Sequence, residues 1–268
     1  NIDAAIISSP ATFHVEQSIK LLKKGVHLLI EKPVSNNTKD IDRLVRLASK
    51  SNVKILIGYV LRHDPAAIEF KRRIQSEKIG DLLHVSIECG SYLPDWRPGQ
   101  DYRKTVSALS NLGGGVLLEL SHELDYLRWF FGDPLSVFSI LSNSKTLEIN
   151  VEDQASMLFT IGDSITAVLQ MDFNRKHPIR LCKLQTTKGE LTWNSVKKKI
   201  VWNQSNEDII EVFFDFDHDY LYIKQLRHFI DCIENNVQPV ATLDDGVAVM
   251  RMINSIKKSN FEQKMVPL

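Results

Sequence analysis

The chain has 268 residues, of which 43% are hydrophobic and 25% are charged, a composition typical of a packed globular protein rather than a disordered one. Its 33 Lys and Arg residues equal its 33 Asp and Glu residues in number. Because nucleic-acid-binding proteins usually carry a basic excess, we expect no nucleic acid partner. No apolar run approaches the roughly 20 residues of a membrane-spanning helix, so we expect no membrane partner either.

The three cysteines, Cys89, Cys182 and Cys232, lie far apart in the sequence. Their spacing matches neither a metal-binding knuckle nor a redox pair, so they predict no metal site. Free buried thiols are typical of proteins in a reducing compartment, and we therefore expect a cytoplasmic protein.

The first sixty residues alternate short apolar runs with helical patterns. Residues 4–7, 26–30 and 53–57 predict three strands, the first of them buried on both faces. The helix between the first two strands ends before Gly25, a residue suited to a helix C-cap. The next helix has Asn37 or Thr38 as a candidate N-cap. This β-α-β-α-β order predicts a parallel sheet with right-handed crossovers.

The pattern changes after Gly58. A helix is predicted over 65–77, and longer strands of alternating polarity follow, with turns at Gly162-Asp163 and Lys188-Gly189. Two apolar-faced helices close the chain. The fold class is therefore α/β: a partial Rossmann-type parallel sheet in 1–58, followed in 59–268 by an α+β domain with a large, mostly antiparallel sheet.

The sequence shows only some of the features of a dinucleotide-binding domain. Such a domain has about six strands and a G-x-G-x-x-G turn after the first, whereas three strands are predicted here and no G-x-G-x-x-G is present. The chain also begins with Asn1 rather than Met. We therefore expect these residues to belong to a longer chain, and to bind a dinucleotide poorly on their own.

Glu31-Lys32-Pro33 follows the second predicted strand. In an open α/β sheet the carboxyl ends of the strands face the ligand crevice, so Lys32 is expected to point toward a bound ligand. Pro33 is a candidate for a cis peptide bond at this tight exit. A surface Glu-Lys pair at a strand end is the alternative interpretation of the tripeptide alone.

Residues 113–125 combine three glycines with an amphipathic helix. Glu119 and His122 are three positions apart, so on one helix they can touch, and a carboxylate beside an imidazole raises its basicity. An acid/base histidine needs such a partner. Two alternatives stay open: a histidine satisfied structurally by Glu119, or half of a Glu-x-x-His metal site whose second half the sequence lacks.

Taken together, several segments resemble one family, the oxidoreductases grouped with glucose-fructose oxidoreductase and inositol dehydrogenase (the Gfo/Idh/MocA family). Residues 8–14 resemble its T-P-x-x-x-H segment, and 25–33 its G-x-H-V…E-K-P stretch, the most specific marker. Residues 58–62 resemble its G-F-N-x-R stretch, although Val60 stands in place of the Asn. Residues 113–125 resemble its triple-glycine helix, although Glu119 replaces an Asp and lies three rather than four residues before His122. Residues 242–246 resemble its S-x-x-D-G segment.

The resemblance implies hydride transfer between NAD or NADP and a hydroxyl or keto group of a sugar, polyol or nucleotide-sugar. It implies catalytic roles for Lys32, His122 and Glu119. It places Ser9, Pro10, His14, Glu31, Lys32 and Pro33 at the cofactor. Substrate contacts are expected from Arg62, Trp96, Arg97, Tyr102, Arg103 and Asp125.

The resemblance also implies sheet-to-sheet association into a homodimer or homotetramer. A non-catalytic binding or regulatory member of the same fold is the alternative function. The retention of both Lys32 and His122 favours the enzyme, since a binding protein has no need of the pair.

Overall fold

The computed structural model describes residues 2–204 and 209–268, so Asn1 and a short part of the second expected domain lie outside the described residues. The N-terminal part is a three-stranded parallel sheet in the order β1-β2-β3. Its elements are β1 (Ala4–Ile7), α1 (Ala11–Leu22), β2 (His27–Ile30), α2 (Ile41–Ala48) and β3 (Ile55–Ile57). The predicted parallel β-α-β-α-β unit is confirmed.

Two local expectations in this unit are wrong. β1 lies at the edge of the sheet, so its Ile6 is 54% exposed rather than buried on both faces. α2 begins at Ile41, and Asp40 precedes it with a φ of 60° and no capping side chain. The Asn37 side chain instead accepts a hydrogen bond from the backbone of Lys39 at 2.7 Å, which stabilises a turn before the helix.

The remaining elements build the second sheet and the helices that cover it. In chain order they are α3 (Pro65–Ile74), β4 (Leu82–Gly90), α4 (Val116–Glu119), α5 (His122–Phe131), β5 (Ser136–Ser142), β6 (Gln154–Ile161), β7 (Ile165–Asp172), β8 (Ile179–Thr186), β9 (Gly189–Asn194), β10 (Lys199–Gln204), β11 (Ile210–Phe213), α6 (His218–Glu234), α7 (Leu243–Glu262) and β12 (Val266–Pro267). Short 3-10 turns, including Val60–His63 and Leu93–Asp95, connect several of them.

The second sheet has nine strands in the described residues, in the order β11-β10-β9-β8-β4-β7-β6-β5-β12. All neighbours are antiparallel except β4 and β7, which run parallel. The predicted turns at Gly162-Asp163 and Lys188-Gly189 join β6 to β7 and β8 to β9. The large, mostly antiparallel sheet is therefore confirmed.

The core lies between the inner face of this sheet and helices α3, α5 and α7. Phe70, Tyr126, Phe130 and Trp193 form an aromatic cluster there, with ring centroids 5.3–6.2 Å apart. Full burial of one large apolar side chain contributes about 1.5–3 kcal/mol, so this cluster anchors α3 and α5 firmly to the sheet. Cys89, Cys182 and Cys232 are free and buried, as the sequence predicts.

Helix α7 connects the two sheets. Just before α7, the Ala241 carbonyl accepts a hydrogen bond from the Ile57 backbone N–H of β3 at 2.9 Å. Near its other end, the Ser259 hydroxyl accepts one from the Ser139 backbone N–H of β5 at 3.0 Å. The carboxyl edge of the parallel sheet is thereby held beside α4 and α5. No helix in the described ranges has the length and apolarity needed to cross a bilayer.

Candidate active site

The turn after β2 places Lys32 at the carboxyl edge of the parallel sheet. β2 ends at Ile30, whose carbonyl accepts a hydrogen bond from the Gly58 backbone N–H at 2.8 Å, so the ends of β2 and β3 lie side by side. The peptide bond between Lys32 and Pro33 is cis. Lys32 therefore occupies the edge at which ligands bind in open α/β sheets.

The side chain of Lys32 reaches the end of α4. Its Nζ donates a hydrogen bond to the backbone carbonyl of Glu119 at 2.9 Å and lies 3.9 Å from the Glu119 carboxylate Oε2. The two side chains are only 19% and 17% exposed. Glu119 thus orients Lys32 across the space between the two sheets, rather than orienting His122.

The single helix expected over residues 116–131 is broken. α4 ends at Glu119 and α5 begins at His122, and between them Leu120 adopts φ −99° and ψ 32°. Before α4, Gly114 packs against the preceding turn, where a Cβ would lie 2.4 Å from the Val106 carbonyl oxygen. The three-residue spacing of Glu119 and His122 therefore does not bring their side chains together, and the expected pair does not form in the described part of the chain.

His122 begins α5, and the positive charge of Lys32 acts on its imidazole. Its Nδ1 is buried and has no hydrogen-bond partner among the described residues, and its ring packs edge-on against Tyr59 with centroids 5.7 Å apart. Burial lowers the pKa of His122 well below its ordinary value, and the positive charges of Lys32 and Arg180 lower it further. The expected rise in basicity is therefore wrong in direction. At neutral pH the imidazole is uncharged, which is the form that accepts a proton.

His14 joins the turn after β1 to the turn after β2. Its Nδ1 lies 2.9 Å from the Pro33 carbonyl oxygen and its Nε2 lies 2.7 Å from that of Ser9. The side chain is 1% exposed, and burial lowers its pKa. Because a neutral imidazole carries one N–H, it donates to only one of these carbonyls at a time. His14, Ser9, Pro10 and Pro33 are thus brought together at one edge of the sheet.

Glu31 lies against the end of β3. A Cβ on Gly58 would come within 2.8 Å of the Glu31 Oε2, so glycine is required for this close approach. Burial raises the pKa of Glu31, while the neighbouring Lys32 opposes the rise. Glu31 also contributes to a raised pKa of Tyr222 on α6, after burial, which shows that α6 faces this edge.

Arg62 and Asp125, two expected substrate residues, form a buried ion pair with each other. The Arg62 guanidinium donates to both Asp125 carboxylate oxygens, at 3.0 and 2.7 Å, and lies 3.0 Å from Asp245. Burial raises the pKa of Asp125 to about 6, against the opposing effect of Arg62. These contacts link the Val60–His63 turn, α5 and the start of α7, so both residues hold the fold together at the base of the site.

The loop from residue 91 to 104 contains the other expected substrate residues. Trp96 donates its indole N–H to Ser91 at 2.8 Å and packs edge-on against Phe173. Tyr102 donates to the Leu147 carbonyl at 3.0 Å, Arg103 pairs with Asp101 and Glu148, and Arg97 is exposed. Among the described residues none of these contacts involves Lys32 or His122. A substrate role for this loop stays a prediction.

Arg180 is a residue that the sequence analysis did not select. It lies near the start of β8, and its Nε donates to Glu123 Oε1 on α5 at 2.7 Å. It is also one of the two cations that lower the pKa of His122. A signal was present in the sequence: the alternation of β8 places Arg180 on the same face as the buried Cys182 and Leu184, where a charge is unusual.

Among the described residues, no group of three His, Cys, Asp or Glu side chains is arranged to hold a metal ion. The Glu-x-x-His segment, Glu119 to His122, is not arranged as half of such a site, because Glu119 contacts Lys32 instead. The ionisable groups at the edge of the parallel sheet are therefore organised around Lys32 and His122 rather than around a cation.

Comparison with known proteins identifies the family. Residues 1–59 match the family model described as an oxidoreductase family with an NAD-binding Rossmann fold, and residues 68–192 match the GFO/IDH/MocA C-terminal domain. The chain belongs to the GFO/IDH/MocA oxidoreductase family. The NAD-binding part of this family therefore corresponds to residues 1–59 of the chain.

Curated relatives and solved structures agree with this assignment. The chain is 26% identical over 251 residues to 1,5-anhydro-D-fructose reductase of Ensifer adhaerens, covering 92% of this chain and 74% of the relative. It is 22% identical to myo-inositol 2-dehydrogenase of Thermotoga maritima, covering 100% and 80%. Levoglucosan dehydrogenase in complex with NADH and levoglucosan shares the fold, with a TM-score of 0.90 at 16% identity over 100% of this chain and 80% of that one.

The residues at the sheet edge fit the nicotinamide end of an NAD(P) molecule. The turns after β1 and β2 are tied to each other by His14, and Lys32 stands half-buried beside them. The glycine-rich turn that cradles the pyrophosphate in family Rossmann domains has no counterpart in the 268 residues.

Proposed function

We propose that this protein is an NAD(P)-dependent oxidoreductase that acts on a hydroxyl or keto group of a sugar, polyol or nucleotide-sugar. One observation carries the proposal: Lys32, at the carboxyl edge of the parallel sheet, is mostly buried and is held by Glu119 at the end of α4, and His122 follows at the start of α5. The relatives named above, a reductase of an anhydro sugar and a dehydrogenase of an inositol, support the substrate class.

When bound, NAD(P) supplies the acceptor or donor of the hydride. The imidazole of His122 takes the proton of the substrate hydroxyl in oxidation and returns it in reduction. The ammonium of Lys32, held by Glu119, stabilises the negative charge that develops on the substrate oxygen. The side chains of Lys32 and Glu119 are mostly buried, which strengthens this stabilisation of charge, because charges interact more strongly away from water.

At the cofactor, Ser9, Pro10, His14, Glu31 and Pro33 form the wall beside the nicotinamide. The loop that carries Trp96, Arg97, Tyr102 and Arg103 closes the substrate side. Arg62 and Asp125 support this arrangement from below through their buried ion pair. We place the protein in the cytoplasm, where its three free thiols stay reduced, as a homodimer or homotetramer.

The test is turnover by the complete natural protein. Reduction of NAD or NADP, followed by absorbance, is measured with a panel of sugars and polyols and with the His122→Ala variant. Turnover by the wild type and its loss in the variant, with thermal stability retained, are expected. Binding of both cofactor and sugar without turnover would instead support the regulatory alternative.

A further inference from the structure

Arg180 occupies an unusual position in the second sheet. In the register of β4 and β8, Arg180 lies opposite Cys89, in the inward-facing row next to the one formed by Ile87 and Cys182. Those three neighbours are buried, with exposures of 4%, 1% and 0%. A guanidinium at the end of an apolar face is costly to desolvate unless it is paired. Arg180 therefore needs a partner for its charge at this position.

The partner of Arg180 uses only one edge of the guanidinium. Glu123 is fully buried, and its Oε1 accepts the Nε hydrogen bond at 2.7 Å, whereas its Oε2 is buried without a partner. Arginine and carboxylate groups often pair through two parallel hydrogen bonds, and this pair does not. Glu123 therefore balances the charge of Arg180 and fixes its orientation, but leaves its terminal nitrogens available.

The terminal nitrogens of Arg180 are not engaged by the part of the chain that the structure describes. They make no hydrogen bond within 2–204 and 209–268, and neither is among the buried unpartnered atoms. The side chain is 25% exposed. Arg180 lowers the pKa of both His122 and Tyr222, although burial is the largest cause of the shift at each of these residues. Glu123 directly follows His122 on α5, so the guanidinium that it binds lies close to the start of this helix.

We propose that Arg180 binds a carboxylate of the substrate, so that the preferred substrates of this protein are acidic sugars such as uronates. The terminal N–H groups of a guanidinium match the two oxygens of a carboxylate. A hydroxyl would use only part of this donor set. The proposal rests on the proposed function and names the substrate class of that site.

The experiment compares matched sugars in the complete natural protein. The ratio of kcat/KM for D-glucuronate to that for D-glucose, and for D-galacturonate to that for D-galactose, is measured with saturating NAD(P). The wild type is expected to prefer the acids. Arg180→Gln is expected to lower that ratio by about 10- to 100-fold, as loss of a charge-assisted hydrogen-bonded pair implies. Arg180→Lys, which keeps the charge without the fork, is expected to be intermediate.

Two further variants separate recognition from folding. Arg180→Gln leaves Glu123 buried and unpaired, so the double variant Arg180→Gln/Glu123→Gln removes the whole pair and is expected to show the same loss of acid preference. Arg175 lies in the turn before β8 and pairs with Glu88 and Asp172. Arg175→Gln is therefore the matched control, and it is expected to leave the ratio unchanged.

The outcomes distinguish the two proposals. Equal use of acidic and neutral sugars by the wild type, or an unchanged ratio in both Arg180 variants, would overturn the role of Arg180 while leaving the oxidoreductase proposal intact. If no sugar is turned over, the proposed function fails, and calorimetry with D-glucuronate and with inorganic phosphate then tests Arg180 alone. Glucuronate affinity that is the same in wild type and Arg180→Gln, or binding of phosphate only, would overturn the carboxylate site.

Discussion

At the residue scale, Lys32 and His122 carry the proposed chemistry. His122→Ala and Lys32→Ala in the complete natural protein are each expected to lower kcat about 100-fold or more, because each removes a positioned proton-transfer or charge-stabilising group. The double variant is expected to be little worse than either single one, since the two residues act as a unit. Steady-state kinetics and calorimetry with NAD check this. Wild-type turnover in His122→Ala would refute the assignment of His122, and a large loss of NAD affinity would indicate a misfolded site.

The charge of Lys32 also governs the titration of His122. Burial and two nearby cations hold the pKa of His122 well below 6.5, so the neutral ring persists as pH falls through the ordinary imidazole range. The rate of substrate oxidation is therefore expected to fall with decreasing pH only below pH 6.5. Lys32→Met removes one cation, and the pKa of His122, followed by NMR of the imidazole, is expected to rise. Glu119→Gln, which leaves the lysine in place, is the control, and an unchanged or lower pKa in Lys32→Met would contradict the electrostatic coupling.

At the scale of elements, Arg62 holds three segments in register. It lies in the Val60–His63 turn, pairs with Asp125 of α5 and Asp245 of α7, and its side chain is only 5% exposed. Arg62→Met leaves the Asp125 carboxylate buried without its partner, and we expect a loss of about 3–5 kcal/mol in the free energy of unfolding. Chemical denaturation measures this. Arg72→Met, which removes an exposed pair with Glu69 on α3, is expected to leave stability nearly unchanged.

This prediction also separates support from recognition. If Arg62 contacts substrate directly, as the family resemblance implies, Arg62→Met raises KM while the free energy of unfolding stays close to that of the wild type. If Arg62 acts through the ion pair seen here, the free energy of unfolding falls, and KM rises only as a consequence of that loss. Equal denaturation midpoints for Arg62→Met and wild type would count against the structural interpretation.

At the scale of the whole molecule, the outer face of the nine-stranded sheet is partly apolar. Leu158 and Val168 face each other across β6 and β7 and are 37% and 40% exposed, and Ile140 of β5, in the same outward row, is 52% exposed. We expect this face to be covered by a second copy, so light scattering should give at least twice the 30.6 kDa chain mass. Leu158→Lys/Val168→Lys should shift the mass to one chain. A single-chain mass for the wild type at micromolar concentration would oppose the prediction.

Binding of a dinucleotide cofactor needs contacts to its pyrophosphate as well as to its nicotinamide. Residues 1–268 contain three parallel strands and no glycine-rich pyrophosphate turn. Because the pyrophosphate contacts dominate dinucleotide binding, we expect this polypeptide on its own to bind NAD weakly. Calorimetry of residues 1–268 with NAD checks the expectation, and a micromolar dissociation constant would contradict it.

The sequence by itself determined the elements and the position of Lys32. Periodicity and turn residues mark the parallel unit, the β6–β7 and β8–β9 hairpins and the last two helices, because side-chain spacing reflects local backbone geometry. A short motif at the end of β2 placed Lys32 at the ligand edge. The break between α4 and α5 was not readable, since the apolar residues from Leu120 to Phe131 have the spacing of one continuous helix.

The partners of the charged residues were decided only by the tertiary structure. Lys32 meets Glu119 across 87 positions, Arg180 meets Glu123 across 57, and Arg62 meets Asp245 across 183. Local spacing instead suggested a Glu119–His122 pair. Such contacts arise from the packing of α5 and α7 between two sheets, and the same packing excludes water from His122 and so reverses the direction of its pKa. Helical or strand periodicity carries no information about which distant charge a buried side chain will face.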